Sequence, residues 1–162
     1  MRRWMLSKKD RKKLSRRLSE LYPKLNLSNV DHIEVTVDDD IEIYIFDGVP
    51  AFIKLGEELF VPHLKYLLRY GYKEWLPYIV VDKGAVKPIS RGADLMRPGI
   101  VEIPVDFDKG SIVVIVEPTR RLPLAIHHTL YNSSEIKTME KGRVTKKLHN
   151  LGDRFWKFSE IL

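Results

Sequence analysis

The sequence predicts an α+β fold in two lobes: an N-terminal α/β lobe packed on a C-terminal lobe that is mostly strand and closes into a pseudo-barrel. Three observations carry this. Leu14, Leu18 and Leu21 recur at helical spacing and are followed by runs in which Ile and Val alternate with polar residues. From Tyr78 onward, short β-branched runs are separated by turns rich in Gly and Pro. Between the two patterns, Tyr72 to Pro77 contains Trp75, an aromatic suited to a packed joint rather than a flexible tether. The boundary is expected there, giving residues 1–74 and 75–162.

In the first lobe, Ser7 with Asp10 three residues on reads as an N-terminal cap, and Pro23 stops the first helix soon after Tyr22. Ile33, Val35 and Val37 form one alternating strand, and Ile41, Ile43 and Ile45 form the next. Asp38-Asp39-Asp40 is the hairpin turn between them, and Val49 to Leu55 reads as a third strand. After Pro62, Leu64, Leu67 and Leu68 mark a short helix ending at Gly71. The second lobe is expected to hold strands at 78–81, 112–116, Leu124–Leu130, Arg143–Leu148 and Phe155–Phe158, with one helix over Ile89 to Met96.

Composition narrows the class. With 44% hydrophobic and 31% charged residues among 162, the chain is an ordinary folded protein. It has no cysteine, so disulfides, thiol nucleophiles and thiolate metal sites are excluded. No stretch has the apolar length of a membrane span or a signal peptide, and a cytoplasmic location is expected. The net charge of +6 is unevenly spread. Residues 1 to 24 carry Arg2, Arg3, Lys8, Lys9, Arg11, Lys12, Lys13, Arg16, Arg17 and Lys24 against Asp10 and Glu20; residues 31 to 58 are predominantly acidic. A basic face for an anionic ligand, or a match between this helix and the acidic strands, accounts equally for that asymmetry.

Residues 81 to 100 carry the most information. Directly after the strand Tyr78–Val81 come the Gly84-Ala85 and Gly92-Ala93 pairs and the Pro98-Gly99 turn. Around them stand Lys83, Lys87, Arg91 and Arg97, with no acid between Asp82 and Asp94. Small residues allow sharp bends and close approach, and the cations suit a phosphate backbone or a nucleotide end. Gly84 is therefore read as a turn.

The stretch Val-Asp-Lys-Gly-Ala at 81–85, continuing to Gly92-Ala93-Asp94-Leu95-Met96 and Pro98-Gly99-Ile100, resembles the opening of a PUA domain. Further elements follow in the order of that family: Asp108-Lys109-Gly110-Ser111 before the strand Ile112–Val116, Pro123-Leu124-Ala125-Ile126, Ser133-Ser134-Glu135, Lys141-Gly142-Arg143-Val144, His149, Gly152-Asp153 and Phe155-Trp156. The likeness covers about residues 76 to 160. The first half more loosely resembles the pre-PUA region of archaeal relatives of the malignant T-cell-amplified translation factor. The resemblance implies a non-catalytic RNA-binding protein of translation or the ribosome. Its implied ligand is structured RNA, such as a tRNA acceptor end or small-subunit rRNA, with the small subunit or a translation factor as partner. Two other readings stand beside it: an RNA-targeting subunit of a tRNA- or rRNA-modifying enzyme, and a protein adaptor using the basic helix. The residues expected to contact RNA are Lys83, Gly84, Ala85, Lys87, Arg91 and Arg97, with Lys8, Lys9, Lys12 and Lys13 as an auxiliary surface.

Catalytic and metal chemistry finds no motif. His127 and His128 are adjacent and point to opposite faces of a strand. His32, His63 and His149 lack ligand spacing, and His149 is expected to pack beside a turn. The Asp38–Asp40 run lacks the glycine and distant glutamate of a calcium loop. No cofactor is expected. Trp4, Tyr22, Tyr66, Tyr70, Tyr72 and Tyr131 are candidate base-stacking residues, whereas Trp75, Phe155 and Trp156 are assigned to the core.

Overall fold

The first strand of the chain, β1 (Arg2–Met5), lies at an edge and leads into the helix α1 (Lys8–Leu21). The computed structural model describes residues Met1–Leu162. As the sequence predicts, Ser7 caps α1 by accepting the Asp10 N–H at 3.1 Å, and Tyr22 ends it just before Pro23. Leu14 and Leu18 bury its apolar stripe. A meander follows: β2 (Ile33–Asp38), β3 (Ile41–Phe46), β4 (Val49–Leu55) and β5 (Leu59–Pro62), giving an antiparallel sheet in the order β1-β2-β3-β4-β5. Asp39 takes the positive φ of 51° that the tight β2–β3 turn requires. Helix α2 (Leu64–Tyr70) closes the first lobe and stops at Gly71, whose φ is 86°. The edge strands β1 and β5 escape the sequence reading, because each is only four residues long and offers little alternation.

The second sheet runs β10-β9-β8-β6-β7, formed by β6 (Tyr78–Val81), β7 (Ile100–Glu102), β8 (Ile112–Val116), β9 (Pro123–Thr129) and β10 (Thr145–Asn150). Strands β6 and β8 pair in parallel and the rest antiparallel. Closure comes from a seam rather than from a continuous ladder. Val144 N donates to Leu95 O at 2.9 Å and Arg97 N to Gly142 O at 2.8 Å, which ties the segment before β7 to the segment before β10.

Two expectations for this lobe need correcting, and the lobe holds three α-helices where one was expected. The helix expected over Ile89 to Met96 instead occupies Lys83–Ser90 (α3), because Asp82 caps it by accepting the Ala85 N–H at 2.9 Å and Gly92, at φ 104°, terminates it. Gly84 therefore sits in the first turn of a helix and not in a left-handed turn. The strand expected at Phe155–Phe158 is the helix α5 (Arg154–Ser159), started by Asp153, whose carboxylate accepts the Trp156 N–H at 2.9 Å. A further helix, α4 (Ser133–Thr138), begins where Glu135 accepts the Asn132 N–H at 3.1 Å.

The alternation along β6 and β8 explains their unbroken apolar composition. Ile79, Val81, Val113 and Ile115 enter a core of 11 buried residues completed by Ile89, Leu95 and Ile136 among others. Their neighbours Tyr78, Val80, Val114 and Val116 join Phe52, Leu64 and Leu67 of the first lobe in a core of 24. Both faces of this sheet are thus covered, as in buried parallel arrangements. Trp75 packs edge-on against Tyr22 with ring centroids 5.3 Å apart, so the joint is packed as expected. Polar links reinforce it: Tyr72 Oη donates to Arg121 O at 2.6 Å, and Arg154 pairs with Asp40 at 2.8 Å.

Candidate nucleic-acid interface

Helix α3 sets the geometry. Lys83, Lys87 and Arg91 follow one another at intervals of four residues, so they stand in a row along one side of the helix and its C-terminal cap. All three are exposed and none takes part in an ion pair. Like charges four apart are mutually destabilising, and nothing internal offsets that here. Pro88 inside the helix has no N–H to give, a defect tolerable in an eight-residue helix fixed by Asp82 at one end and Gly92 at the other.

Gly92 connects this row to β10. A Cβ built on Gly92 would lie 3.4 Å from Asn150 Oδ1 and 3.7 Å from the Lys147 ammonium, so the Lys147 side chain extends over the glycine. Asp94 holds β10 in place: its carboxylate accepts the Lys147 N–H at 2.7 Å and pairs with Arg143 at 3.3 Å. Asn150 Nδ2 donates to Ser90 O at 3.0 Å, tying β10 to the end of α3. Arg143 and Lys147 therefore belong beside the α3 cations. They are absent from the contacts expected from sequence, although the run from Lys141 to Lys147 is visibly basic. The row stands on exposed surface, an arrangement suited to a chain of phosphates rather than to an enclosed small molecule.

The other expected contacts divide by role. Arg97 is half-buried, and its Nε donates to Ile136 O at 2.8 Å, so it braces α4 against the seam. Ala85 is packed against Gly99, where an added Cβ would come within 3.3 Å of the Ala85 methyl; both residues keep α3 close to the turn before β7. Gly84 is exposed in α3 with nothing but the Asp82 carboxylate near, at 3.5 Å from a built Cβ. On α1, Lys8, Lys9, Lys12 and Lys13 are exposed and enter no ion pair. The match to the acidic half is made by others: Arg3 pairs with Glu34 at 2.8 Å, Arg17 pairs with Glu58 at 3.3 Å besides Glu20 of its own helix, and Arg11 donates to the carbonyls of Val30 and Asp31.

Burial removes Tyr22, Tyr66 and Tyr72 from the candidate stacking surfaces and leaves Trp4, Tyr70 and Tyr131 exposed. Phe155 is buried as expected. His149 packs as the sequence implies, hydrogen-bonded to Asp153 at 2.8 Å. No three His, Asp or Glu side chains converge as a metal site would require. No helix is long and apolar enough to cross a membrane.

Residues 77–151 match the PUA domain family, and residues 2–70 match the Domain of unknown function (DUF1947). The chain is 33% identical over 159 residues to an uncharacterized protein of Methanocaldococcus jannaschii, covering 97% of this chain and 96% of the other. Translation machinery-associated protein 20 of Saccharomyces cerevisiae is also 33% identical over 159 residues, covering 90% and 86%. The chain belongs to the family of Translation machinery-associated protein 20 and Malignant T-cell-amplified sequence 1. The PUA-domain structure from Aeropyrum pernix superimposes with a TM-score of 0.90 at 28% identity, covering 98% of this chain and 91% of that one, so the two lobes and their packing are a shared architecture.

Proposed function

We propose that this protein binds structured RNA in translation, without chemistry of its own, through the α3–β10 face of its PUA region. The observation that carries the reading is the row Lys83, Lys87 and Arg91, unpaired and exposed, joined across the bare Gly92 backbone by Lys147. Exposed cations this close together, none of them ion-paired, favour an anionic ligand. Family membership supports the class of ligand and the process, since relatives bear names of the translation machinery. Residues 1–74 and 75–162 act as one unit in this reading, with Lys8, Lys9, Lys12 and Lys13 a second electrostatic contact. A tRNA acceptor end or small-subunit rRNA is the proposed RNA, and the ribosomal small subunit or a translation factor the setting.

The test is Lys87→Gln with Arg91→Gln. Both side chains are exposed and unpaired, so thermal stability should stay within about 0.5 kcal/mol of the parent. Loss of two charge-assisted contacts, each contributing roughly 1.5–3 kcal/mol, should weaken binding to a hairpin with a single-stranded 3′ end by well over tenfold. Competition with duplex DNA at matched salt reads specificity. Unchanged affinity in the double variant at moderate salt moves the RNA site off this face.

A further inference from the structure

At the joint between the lobes lies a second surface of different character. Leu68 and Tyr70 of α2 are 44% and 56% exposed, and Leu122, on the turn before β9, is 46% exposed. All three line one groove of about 330 Å³ whose walls come from both lobes: α2 and the Gly71–Trp75 connection on one side, Arg120 to Pro123 on the other. Scattered exposed apolar residues are ordinary, but three large ones converging in a polar-rimmed groove are the mark of an interaction surface.

The β8–β9 wall is held rigid. Glu117 accepts the N–H groups of Arg120 at 2.6 Å and Arg121 at 2.7 Å, and Tyr72 Oη donates to the Arg121 carbonyl from the other lobe. Arg121 adopts φ 58°, an unfavourable conformation for a residue with a Cβ, and its guanidinium reaches Tyr78 Oη at 3.2 Å and Glu102 at 2.8 Å. The groove is therefore formed in advance of any partner, which lowers the ordering cost of binding.

Its charge is one-sided. Arg121 is matched by Glu102, but Lys73 and Arg120 in the lining take part in no ion pair, nor does Arg69, whose guanidinium lies at the rim against Tyr70, and Glu74 is the one acid in the lining. We propose that this groove docks a short amphipathic, acidic segment of another protein, its apolar side chains entering between Leu68 and Leu122 and its carboxylates meeting Arg69, Lys73 and Arg120. Two features favour a protein over RNA here. Aliphatic Leu68 and Leu122 gain by burial against apolar side chains and offer nothing to a phosphate. The aromatic ring that could stack on a base, Tyr70, is already engaged, with the Arg69 guanidinium 5.9 Å from its centroid and the Tyr66 ring 4.8 Å away. Aromatic and Arg residues surrounded by a polar rim are the composition of protein–protein contacts.

The proposal is independent of the RNA reading and is tested on the full chain by fluorescence anisotropy. The probe is a labelled synthetic helix-forming peptide with Leu and Phe on one face and Glu on the other; the control replaces every Glu with Lys. The acidic peptide should bind saturably. Its Kd should rise at least about tenfold both in Leu68→Ser with Leu122→Ser and in Arg69→Gln with Arg120→Gln. The RNA hairpin should bind both variants as it binds the parent. Melting curves check folding; if the leucine pair proves unstable, the arginine pair decides. Absence of saturable binding, equal binding of the lysine peptide, or unchanged peptide affinity in the arginine pair overturns the proposal. Loss of hairpin binding in the arginine pair assigns the surface to RNA instead.

Discussion

Stability should fall steeply as the protein is acidified from neutral pH, because two buried histidines are neutral in the native state. His63 is fully buried at the N-terminal cap of α2, where its Nδ1 accepts the Lys65 N–H at 3.0 Å. Its Nε2 faces the Phe155 carbonyl without reaching hydrogen-bonding geometry. Burial above all, and then the neighbouring His149 ring 4.9 Å away, pushes its pKa down to about 3; Lys65 adds to this, while Asp153 and the Phe155 carbonyl oppose it. His127, inside the smaller core region with only Thr145 Oγ1 at 2.7 Å as partner, is likewise pushed to about 3 by burial, against the opposing charge of Asp94. In the unfolded chain both titrate near 6.5. The unfolded state therefore binds more protons between the two values, so the stabilisation is complete above about pH 6.5 and is lost as pH falls toward about 3. At pH ~4.5 the loss is about 2.7 kcal/mol per histidine, or about 5 together, at ~1.4 kcal/mol per unit of pH below 6.5. That result requires only that both native values lie below the test pH. Asp153 acts in the same direction at lower pH: burial works to raise its pKa, but bonds from His149, Trp156 N and Asn150 N outweigh it and hold it below the ordinary value. Against a total stability of ~5–15 kcal/mol the histidine loss is large. Urea unfolding at about pH 7.5, 6.5, 5.5 and 4.5 measures it, with the midpoint falling at constant slope. A level stability between about pH 7 and 5 would refute the assignment of two neutral buried imidazoles.

Replacing Lys8, Lys9, Lys12 and Lys13 with Gln should leave the melting temperature close to that of the parent, since none enters an ion pair. It should weaken RNA binding and flatten the dependence of log affinity on log salt by roughly 0.7–0.9 for each phosphate no longer neutralised; an unchanged slope would remove α1 from the interface. Among the glycines, Gly92→Ala forces a side chain onto φ 104° and should cost about 1–3 kcal/mol, while Gly84→Ala, in the helical first turn, should be neutral or stabilising by up to ~1 kcal/mol. Thermal melts giving the reverse order would contradict the placement of α3.

The first helix and most of the strands are legible in the sequence because their signals are local. The Leu14–Leu18 stripe, the Ser7 cap and the alternation along β2 and β3 each state an element without help from the rest of the chain. Misreading arises where two interpretations of the same residue types compete. Gly84-Ala85 after a strand looks like a turn, yet Asp82 three residues before Ala85 is an N-cap signal and Gly92 a C-terminal one, and together they outweigh glycine's poor propensity. Phe155 to Phe158 looks like a strand by composition, but Asp153 caps a helix there and Phe155 and Phe158 share a face at a spacing of three. The candidate site is half legible. Lys83, Lys87 and Arg91 lie together in sequence as they do in space, whereas Lys147 arrives by way of β9–β10 pairing and the Asp94 bonds, which no local pattern encodes.

The packed joint bears on how the proposed contacts cooperate. The larger core takes in Leu14 and Leu18 of α1, Phe52 of β4 and Val80, Val114 and Val116 of the second sheet, so α1 and the sheet that carries α3 are fixed to one hydrophobic body. Core interiors are close-packed and do not deform continuously. The α1 lysines and the α3 row therefore keep a constant separation and orientation, set by the shared core and by Trp75 against Tyr22. With a flexible tether between the lobes, either basic surface would follow whatever RNA the other had captured. With this joint, an RNA gains from both only if its phosphates already lie at the matching spacing, which folded RNA holds and a flexible single strand must order itself to reach. On the proposed reading, a preference for structured RNA arises from the rigidity of the lobe packing as well as from any contact to a base.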